Sequence, residues 1–310
     1  MKKIMLMLML LFAVLLSAKS YKDWDHLPVI DYNKIKFGTD QTLDIATWNI
    51  QTFPKRGDTT IVYVANCIKN MDVDLLGMQE IKGRKAFLNI IKELNKIDKT
   101  NKWKGFRAKS DGRWQMNLAF IYKANVIKVK KIYELYNTKD NKYRYEFPRF
   151  PLVIDFKYKG ERFIVIDNHL KARNKAKDIK RRRAALKKLH NYAMENLPND
   201  NLIIIGDMND QLVDADSANV FGVFLNDKKN FAFADYKIAS DSTADWSYPY
   251  WKYRGHIDHI LISNELYPNF KKANSTVKTI AIDKFMEGGD EARYQFITDH
   301  RPVAIRLMVK

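Results

Sequence analysis

From Leu43 onward the chain alternates between short apolar runs and longer amphipathic stretches. Continuous apolar runs bounded by polar residues are the pattern of strands buried on both faces. They predict strands at Leu43–Trp48, Asp74–Gln79, Asn117–Tyr122, Leu152–Tyr158, Arg162–Asn168, Leu202–Gly206, His256–Ile262 and Pro302–Met308. Lys159-Gly160 between two of these runs is a hairpin signal. Ile61, Val64, Ala65, Ile68 and Met71 recur at helical spacing and predict a helix over Thr59–Met71. Phe87, Ile90, Ile91 and Leu94 mark a second helix. Ile179, Leu186, Leu189 and Ala193 mark a third over Ala176–Glu195, which Pro198 closes. Strands near both ends, hairpins and interspersed helices suit stacked sheets flanked by helices rather than a doubly wound parallel sheet.

The first residues follow a different pattern. Lys2 and Lys3 precede an unbroken apolar run from Ile4 to Leu16, and Ser17-Ala18 offer small residues for cleavage. The run is too short for a membrane span, which needs about 20 residues. The expectation is a signal peptide over residues 1–18, a polar lead-in over 19–41 and a single domain over 42–310, exported to the periplasm or beyond without stable membrane association. No internal repeat and no linker rich in Gly, Pro or Ser divides the chain.

Composition sharpens this picture in two places. Cys67 is the only cysteine, so no disulfide forms within the chain, and its helical spacing among apolar residues reads as a buried, inert thiol. The net charge is +18, or +16 without Lys2 and Lys3, which favours polyanionic partners: nucleic acid, anionic lipid or acidic polysaccharide.

Polar residues of a particular kind end the apolar runs: Asn49, Glu80, His169, Asp207 with Asn209, Asp258 with His259, and Asp299 with His300. Strand ends are rigid places from which side chains converge. Carboxylate and amide oxygens suit Mg²⁺, Mn²⁺ or Ca²⁺, and histidine suits acid–base work near neutrality. No CxxC, HExxH or P-loop pattern points to zinc or nucleotide hydrolysis.

In chain order, Ala46-Thr47-Trp48-Asn49, Met78-Gln79-Glu80, Asn168-His169-Leu170-Lys171, Gly206-Asp207-Met208-Asn209-Asp210, Gly255-His256-Ile257-Asp258-His259 and Thr298-Asp299-His300-Arg301-Pro302 resemble the endonuclease/exonuclease/phosphatase (deoxyribonuclease I-like) superfamily. The resemblance spans Leu43 to about Val309. It implies an α+β fold, a four-layer α/β/β/α sandwich with the site at one edge of both sheets. It further implies Asn49, Glu80 and Asp299 as metal-holding residues and His300 as the histidine on the scissile phosphate. Asp258 becomes the carboxylate orienting a catalytic histidine, His169 the second histidine, and Asp207 with Asn209 the pair orienting water and phosphate oxygens. Arg149 resembles a phosphate-binding arginine. The implied cofactor is Mg²⁺, with Mn²⁺ or Ca²⁺ as alternatives.

Three substrate readings follow. The basic segment Lys171, Arg173, Lys175, Lys177, Lys180, Arg181, Arg182 and Arg183 adjoins the site; Lys171 and Arg173 are its best phosphate contacts, and the later cations suit a solvated helix face. Trp246, Tyr248, Tyr250, Trp251 and Tyr253 with Lys252 and Arg254 combine stacking surfaces with cations, or else pack beneath a loop. Together they favour DNA, with RNA as a further substrate, cleaved with little sequence specificity. A sphingomyelinase-type enzyme would need an exposed apolar hairpin, for which Phe221–Phe233 is the candidate, although Lys228-Lys229-Asn230 dilutes it and core packing suits it better. A non-catalytic binding protein of the same fold is disfavoured because every expected polar position is filled.

Overall fold

The computed structural model describes residues 25–109, 116–215, 219–241, 244–250 and 253–309. The candidate signal segment at 1–18, Trp251 and Lys252 lie outside them. Two six-stranded mixed sheets dominate. The first runs β13 (Thr276–Thr279), β14 (Val303–Leu307), β1 (Leu43–Phe53), β2 (Leu75–Lys82), β4 (Met116–Lys123), β3 (Trp103–Arg107). The second runs β5 (Lys128–Glu134), β6 (Leu152–Tyr158), β7 (Glu161–His169), β8 (Asn201–Asp207), β12 (Asp258–Ser263), β9 (Phe231–Phe233). A separate hairpin pairs β10 (Tyr248–Tyr250) with β11 (Tyr253–Gly255).

Successive side chains of the central strands point to opposite faces, and both faces are covered, so nearly every position is buried. Ile203, Ile205, Phe163, Val165, Ile45 and Ile305 meet between the sheets. Their neighbours on sheet two, such as Ile204 and Ile166, pack under α3 (Ala176–Asn196). On sheet one, Ala46, Trp48, Leu76 and Met78 pack under α1 (Asp58–Met71), α2 (Arg84–Ile97) and α4 (Gly289–Phe296). This is the four-layer α/β/β/α sandwich, and double coverage explains why the strands read as continuous apolar runs. Gly77 lets the sheets close up, since a Cβ there would lie 2.6 Å from Ile205 Cδ1.

Each sheet contains one parallel pair, β1–β2 and β7–β8, joined through α1 and α3 respectively. The carboxyl ends of all four strands therefore reach the same rim. β12 pairs antiparallel with β8 and β14 with β1, so the residues that open those two strands arrive there as well. Lys159 and Gly160 both have positive φ, as the tight turn between β6 and β7 requires.

Residues 19–24 of the lead-in lie outside the described residues, and the part from residue 25 onward packs more closely than its lack of periodicity suggests. Ile30, Ile35 and Phe37 are buried against the α1 side of sheet one, and Ile30 bridges to Met286. Short or polar elements escaped the periodicity: β3, β5, β9, β13, the β10–β11 hairpin and α4. Cys67 is fully buried, and burial pushes its thiol pKa up.

Candidate active site

Along each central strand the side chains facing between the sheets change from apolar to polar as the rim approaches. The series are Leu43, Ile45, Thr47, Asn49; Leu75, Gly77, Gln79; Phe163, Val165, Asp167, His169; and Ile203, Ile205, Asp207. Asp258 opens β12 and is followed in the same phase by Ile260 and Ile262. The site is thus the polar end of the inter-sheet layer.

Register brings the groups together. Asp207 lies beside His169 in the parallel pair and opposite Asp258 in the antiparallel pair. Asp207 Oδ2 accepts from Asn49 Nδ2 at 2.8 Å and lies 3.4 Å from His169 Nε2 and 3.8 Å from His300 Nε2. The other nitrogen of His300, Nδ1, meets Asp258 Oδ2 at 2.8 Å. The backbone N–H of Asn209 donates to Asp207 Oδ1 at 3.0 Å. His300 Nε2 also lies 3.8 Å from Asp299 Oδ1, while Asp299 Oδ2 accepts from Gln51 Nε2 at 2.7 Å. Asn49, Glu80, His169, Asp207, Asn209, Asp299 and His300 all line one cleft of about 840 Å³.

Backbone strain concentrates here. Thr52, Glu80, Arg173 and Asn209 all have positive φ without being glycine, and all four line the cleft. Glu80 sits where the β2 register shifts against both neighbours, so the irregularity turns onto the cleft a side chain that regular alternation would direct away. The Thr52 N–H donates to Glu80 Oε2 at 2.9 Å. Gly206, at φ +140°, is obligatory: a Cβ would fall 1.9 Å from Asn168 O.

The loop carrying Asp299 and His300 is held from behind. Arg293, fully buried, donates to Thr298 O at 2.6 Å and His300 O at 3.0 Å; Trp48 Nε1 also donates to His300 O. Arg301 stacks 3.3 Å from the Trp246 ring centroid and pairs with Asp283. Trp246 is therefore core, whereas Tyr248 lines the cleft with its ring 4.7 Å from that of His300.

The charges are strongly perturbed. Burial and the Asp258 carboxylate push Asp207 up to about 7, partly offset by His300 and Asn49. Burial alone would push His300 down, but Asp258, by charge and hydrogen bond, with Asp207 and Asp299, holds it up to about 10. Burial, with the nearby cations Arg149, His300 and Lys171, holds His169 well below the ordinary histidine value. One protonated histidine and one neutral histidine thus flank a carboxylate that titrates near neutrality.

Asp207, Asp258 and His300 present ligand atoms within 4.8 Å of one another. Asp258 and His300 share a hydrogen bond, and His300 Nε2 faces Asp207 Oδ2 at 3.8 Å, so the three form a relay of charges around one imidazole. The corner bounded by Asn49, Glu80 and Asp299 suits a hard divalent cation better, because Asn49 Oδ1 is buried without a hydrogen-bond partner and two carboxylates share its cleft.

The structure separates the predicted substrate contacts. Arg173 and Arg254 line the cleft. Arg149 donates from Nε to Met116 O at 3.2 Å and lies near enough to Glu80 and Asp207 to feel both charges. Lys171 does not line the cleft; its Nζ donates to Ala172 O at 2.9 Å and lies 3.6 Å from Asp178. Arg182, read with its neighbours as a solvated cation, is buried and clamps Asp210, Lys171 O and Arg173 O. Phe221, Phe224, Phe231 and Phe233 are buried core, so that segment is no exposed apolar hairpin. Sequence reasoning missed Gln51, Thr52, Asp167 and Gln79. The last two share the interior phase of Asn49 and His169, a period-two signal that could have found them.

The fold and this rim define the class, and the family profile agrees: residues 46–300 match the Endonuclease/Exonuclease/phosphatase family. The chain belongs to that family, whose members are typically phosphodiester hydrolases. No curated protein sequence matches it. Among solved structures, D. rerio TDP2 complexed with single-strand DNA product superposes with a TM-score of 0.63 at 15% identity, covering 87% of this chain and 100% of that one. An endonuclease/exonuclease/phosphatase from Bacteroides vulgatus gives 0.62 at 15% identity, covering 87% and 99%. The human Nocturnin catalytic domain gives 0.58 at 16% identity, covering 86% and 93%. At such identities the likeness concerns the fold.

Proposed function

We propose that this chain is an exported, divalent-metal-dependent nuclease that hydrolyses DNA, and RNA as a further substrate, with little sequence specificity. The observation that carries the reading is the Asp258–His300–Asp207 relay facing a cleft with Arg173, Arg254 and Tyr248 on its walls. Cations and an aromatic face on the walls of an open cleft suit a sugar-phosphate strand whose bases are not read by hydrogen bonds. The high net charge draws in any polyanion. No helix among the described residues is long and apolar enough to cross a membrane.

In this reading Asn49, Glu80 and Asp299 hold the cation, which when bound acts as a Lewis acid on the phosphate. Asp207, with Asn209 on its other oxygen, takes a proton from the attacking water as that oxygen bonds to phosphorus. The bond to the leaving oxygen breaks in the same displacement. His300, kept protonated by Asp258, offers its Nε2–H to the phosphate oxygens that gain charge. His169, neutral and 3.4 Å from Asp207, completes the donor set around the phosphate.

The test is digestion of supercoiled plasmid by the mature chain with Mg²⁺, Mn²⁺ or EDTA, beside Glu80→Ala and His300→Ala. Metal-dependent nicking lost in both variants supports the reading. A folded protein inert with every metal overturns it and directs attention to sphingomyelin and other phosphodiesters.

A further inference from the structure

Behind the proposed catalytic carboxylates lies a second polar cluster that the reaction does not touch. Asp235, His256 and His259 are each fully buried. Asp235 precedes a single helical turn after β9, while the two histidines flank Asp258 in sequence. His259 Nδ1 lies 2.6 Å from Asp235 Oδ2, and its Nε2 lies 2.9 Å from the carbonyl oxygen of Asp210. His256 Nδ1 lies 2.7 Å from Asp245 O, and its Nε2 points at the same Asp235 oxygen from 3.2 Å, without hydrogen-bond alignment. Asp235 Oδ1 accepts from the Ile260 N–H at 2.9 Å.

Each ring nitrogen of His259 faces an oxygen that cannot donate. A neutral imidazole carries one proton and would leave one contact as two opposed lone pairs, which a fully buried site does not tolerate. Phe221 and Phe233 pack edgewise on the His259 ring and help exclude solvent. Three converging ligand atoms could also signal a metal ion. The 2.6 Å contact argues against it, because two atoms each about 2.0–2.2 Å from a tetrahedral cation stand more than 3 Å apart.

The cluster ties together the segments that carry the relay. Asp210 directly follows the Asp207–Asn209 turn, and Ile260 and both histidines belong to the segment of Asp258. We propose that Asp235 is a positioning residue, a buried carboxylate bonded to a fully protonated His259 and approached by His256, which locks the Asp207–Asn209 turn and the start of β12 in the register the relay needs. This rests on the nuclease reading for its catalytic consequence, but not for the charge state of His259.

Nitrogen-15 NMR of the histidine rings in the intact mature protein, metal analysis of the same sample, and steady-state cleavage kinetics of Asp235→Asn and Asp235→Glu test it. The expected results are protons on both ring nitrogens of His259 and no tightly held transition metal. Asp235→Asn should lower kcat roughly 10- to 100-fold at unchanged KM, the scale for loss of a group that orients a catalytic residue, and Asp235→Glu should recover part of it. A His259 ring with one unprotonated nitrogen, stoichiometric zinc, or wild-type kcat in a folded Asp235→Asn variant would each overturn the proposal. Should Asp235→Asn fail to fold, the ring protonation of the parent protein still decides whether the cluster exists. A parent protein inert toward all nucleic acids while His259 proves doubly protonated would remove the nuclease reading and the catalytic role together, leaving the cluster itself intact.

Discussion

The two ends of the sandwich treat buried charge in opposite ways. At the end away from the cleft, Asp44, Asp72, Asp74, Lys123 and Arg306 form a network in which no buried side-chain atom lacks a hydrogen-bond partner. Asp44 accepts from Thr39 N, Thr42 Oγ1 and Arg306 Nε; Asp74 accepts from Asp44 N; Lys123 contacts both Asp72 and Asp74. At the cleft end, Asn49 Oδ1, Gln79 Oε1, Asp167 Oδ2, Asn168 Oδ1, His169 Nδ1 and Asp258 Oδ1 are buried with no hydrogen-bond partner. Like charges also stand opposite each other there, Asp207 against Asp258. A native protein keeps few such groups, and where they cluster they mark a site shaped for something other than stability. One end closes the fold. The other spends stability on unmet polar valence and strained backbone, which a substrate and cation can satisfy.

The largest test of that contrast is at the cleft. His300→Ala or Glu80→Ala should lower cleavage roughly 10³-fold, and Glu80→Ala should leave the thermal midpoint near that of the parent; kinetics and calorimetry on one preparation check both. At the other end, Lys123→Met leaves Asp72 and Asp74 without their shared cation. It should cost about 3 kcal/mol of stability, read by urea denaturation, with activity of the folded fraction unchanged. If the two substitutions exchanged these effects, the comparison would be wrong.

A subtler expectation concerns pH. Activity should rise as Asp207 loses its proton near 7 and fall as His300 loses its proton near 10, with bound cation moving the acid limb downward. The stability signature of His300 has a fixed sign. Its folded pKa is raised, so its contribution is complete below about 6.5 and disappears as pH climbs through about 10. Parent and His300→Asn denaturation curves should therefore differ most in acid and converge toward pH 10. Divergence with rising pH would mean that Asp258 does not hold that proton.

The smallest effects belong to the cleft walls. Arg173→Ala and Arg254→Ala should each raise KM several-fold, leave kcat nearly intact and reduce the salt slope of DNA binding by about one ion. Lys171→Ala, paired with Asp178 outside the cleft, should change the slope less than either. A nucleic-acid titration over a salt series separates the three.

Much of this was legible along the chain because it rests on local rules. Doubly covered strands must be apolar on both faces, so β2, β7 and β8 announce themselves; α1, α2 and α3 carry their period in the positions they bury. The polar residues ending those runs drew attention to Asn49, His169, Asp207 and Asp258. Short elements such as β9 and β13 carry too few residues to show a period, and they exist because longer neighbours present free edges to pair with.

The sequence alone determined which residue types end the strands, the family they resemble and the excess of positive charge. Only the tertiary structure decided which of them meet. Two β-α-β units had to lie in facing sheets before Asn49 could reach Asp207 across 158 positions, and a register shift had to turn Glu80 into the cleft. It also set Arg182 in the interior, Trp246 in the core and Tyr248 on the cleft wall, distinctions absent from composition. The reason is that periodicity reports the face a side chain takes on its own element. Distance and protonation between elements depend on sheet packing, burial and neighbouring charge, which exist only once the layers have closed.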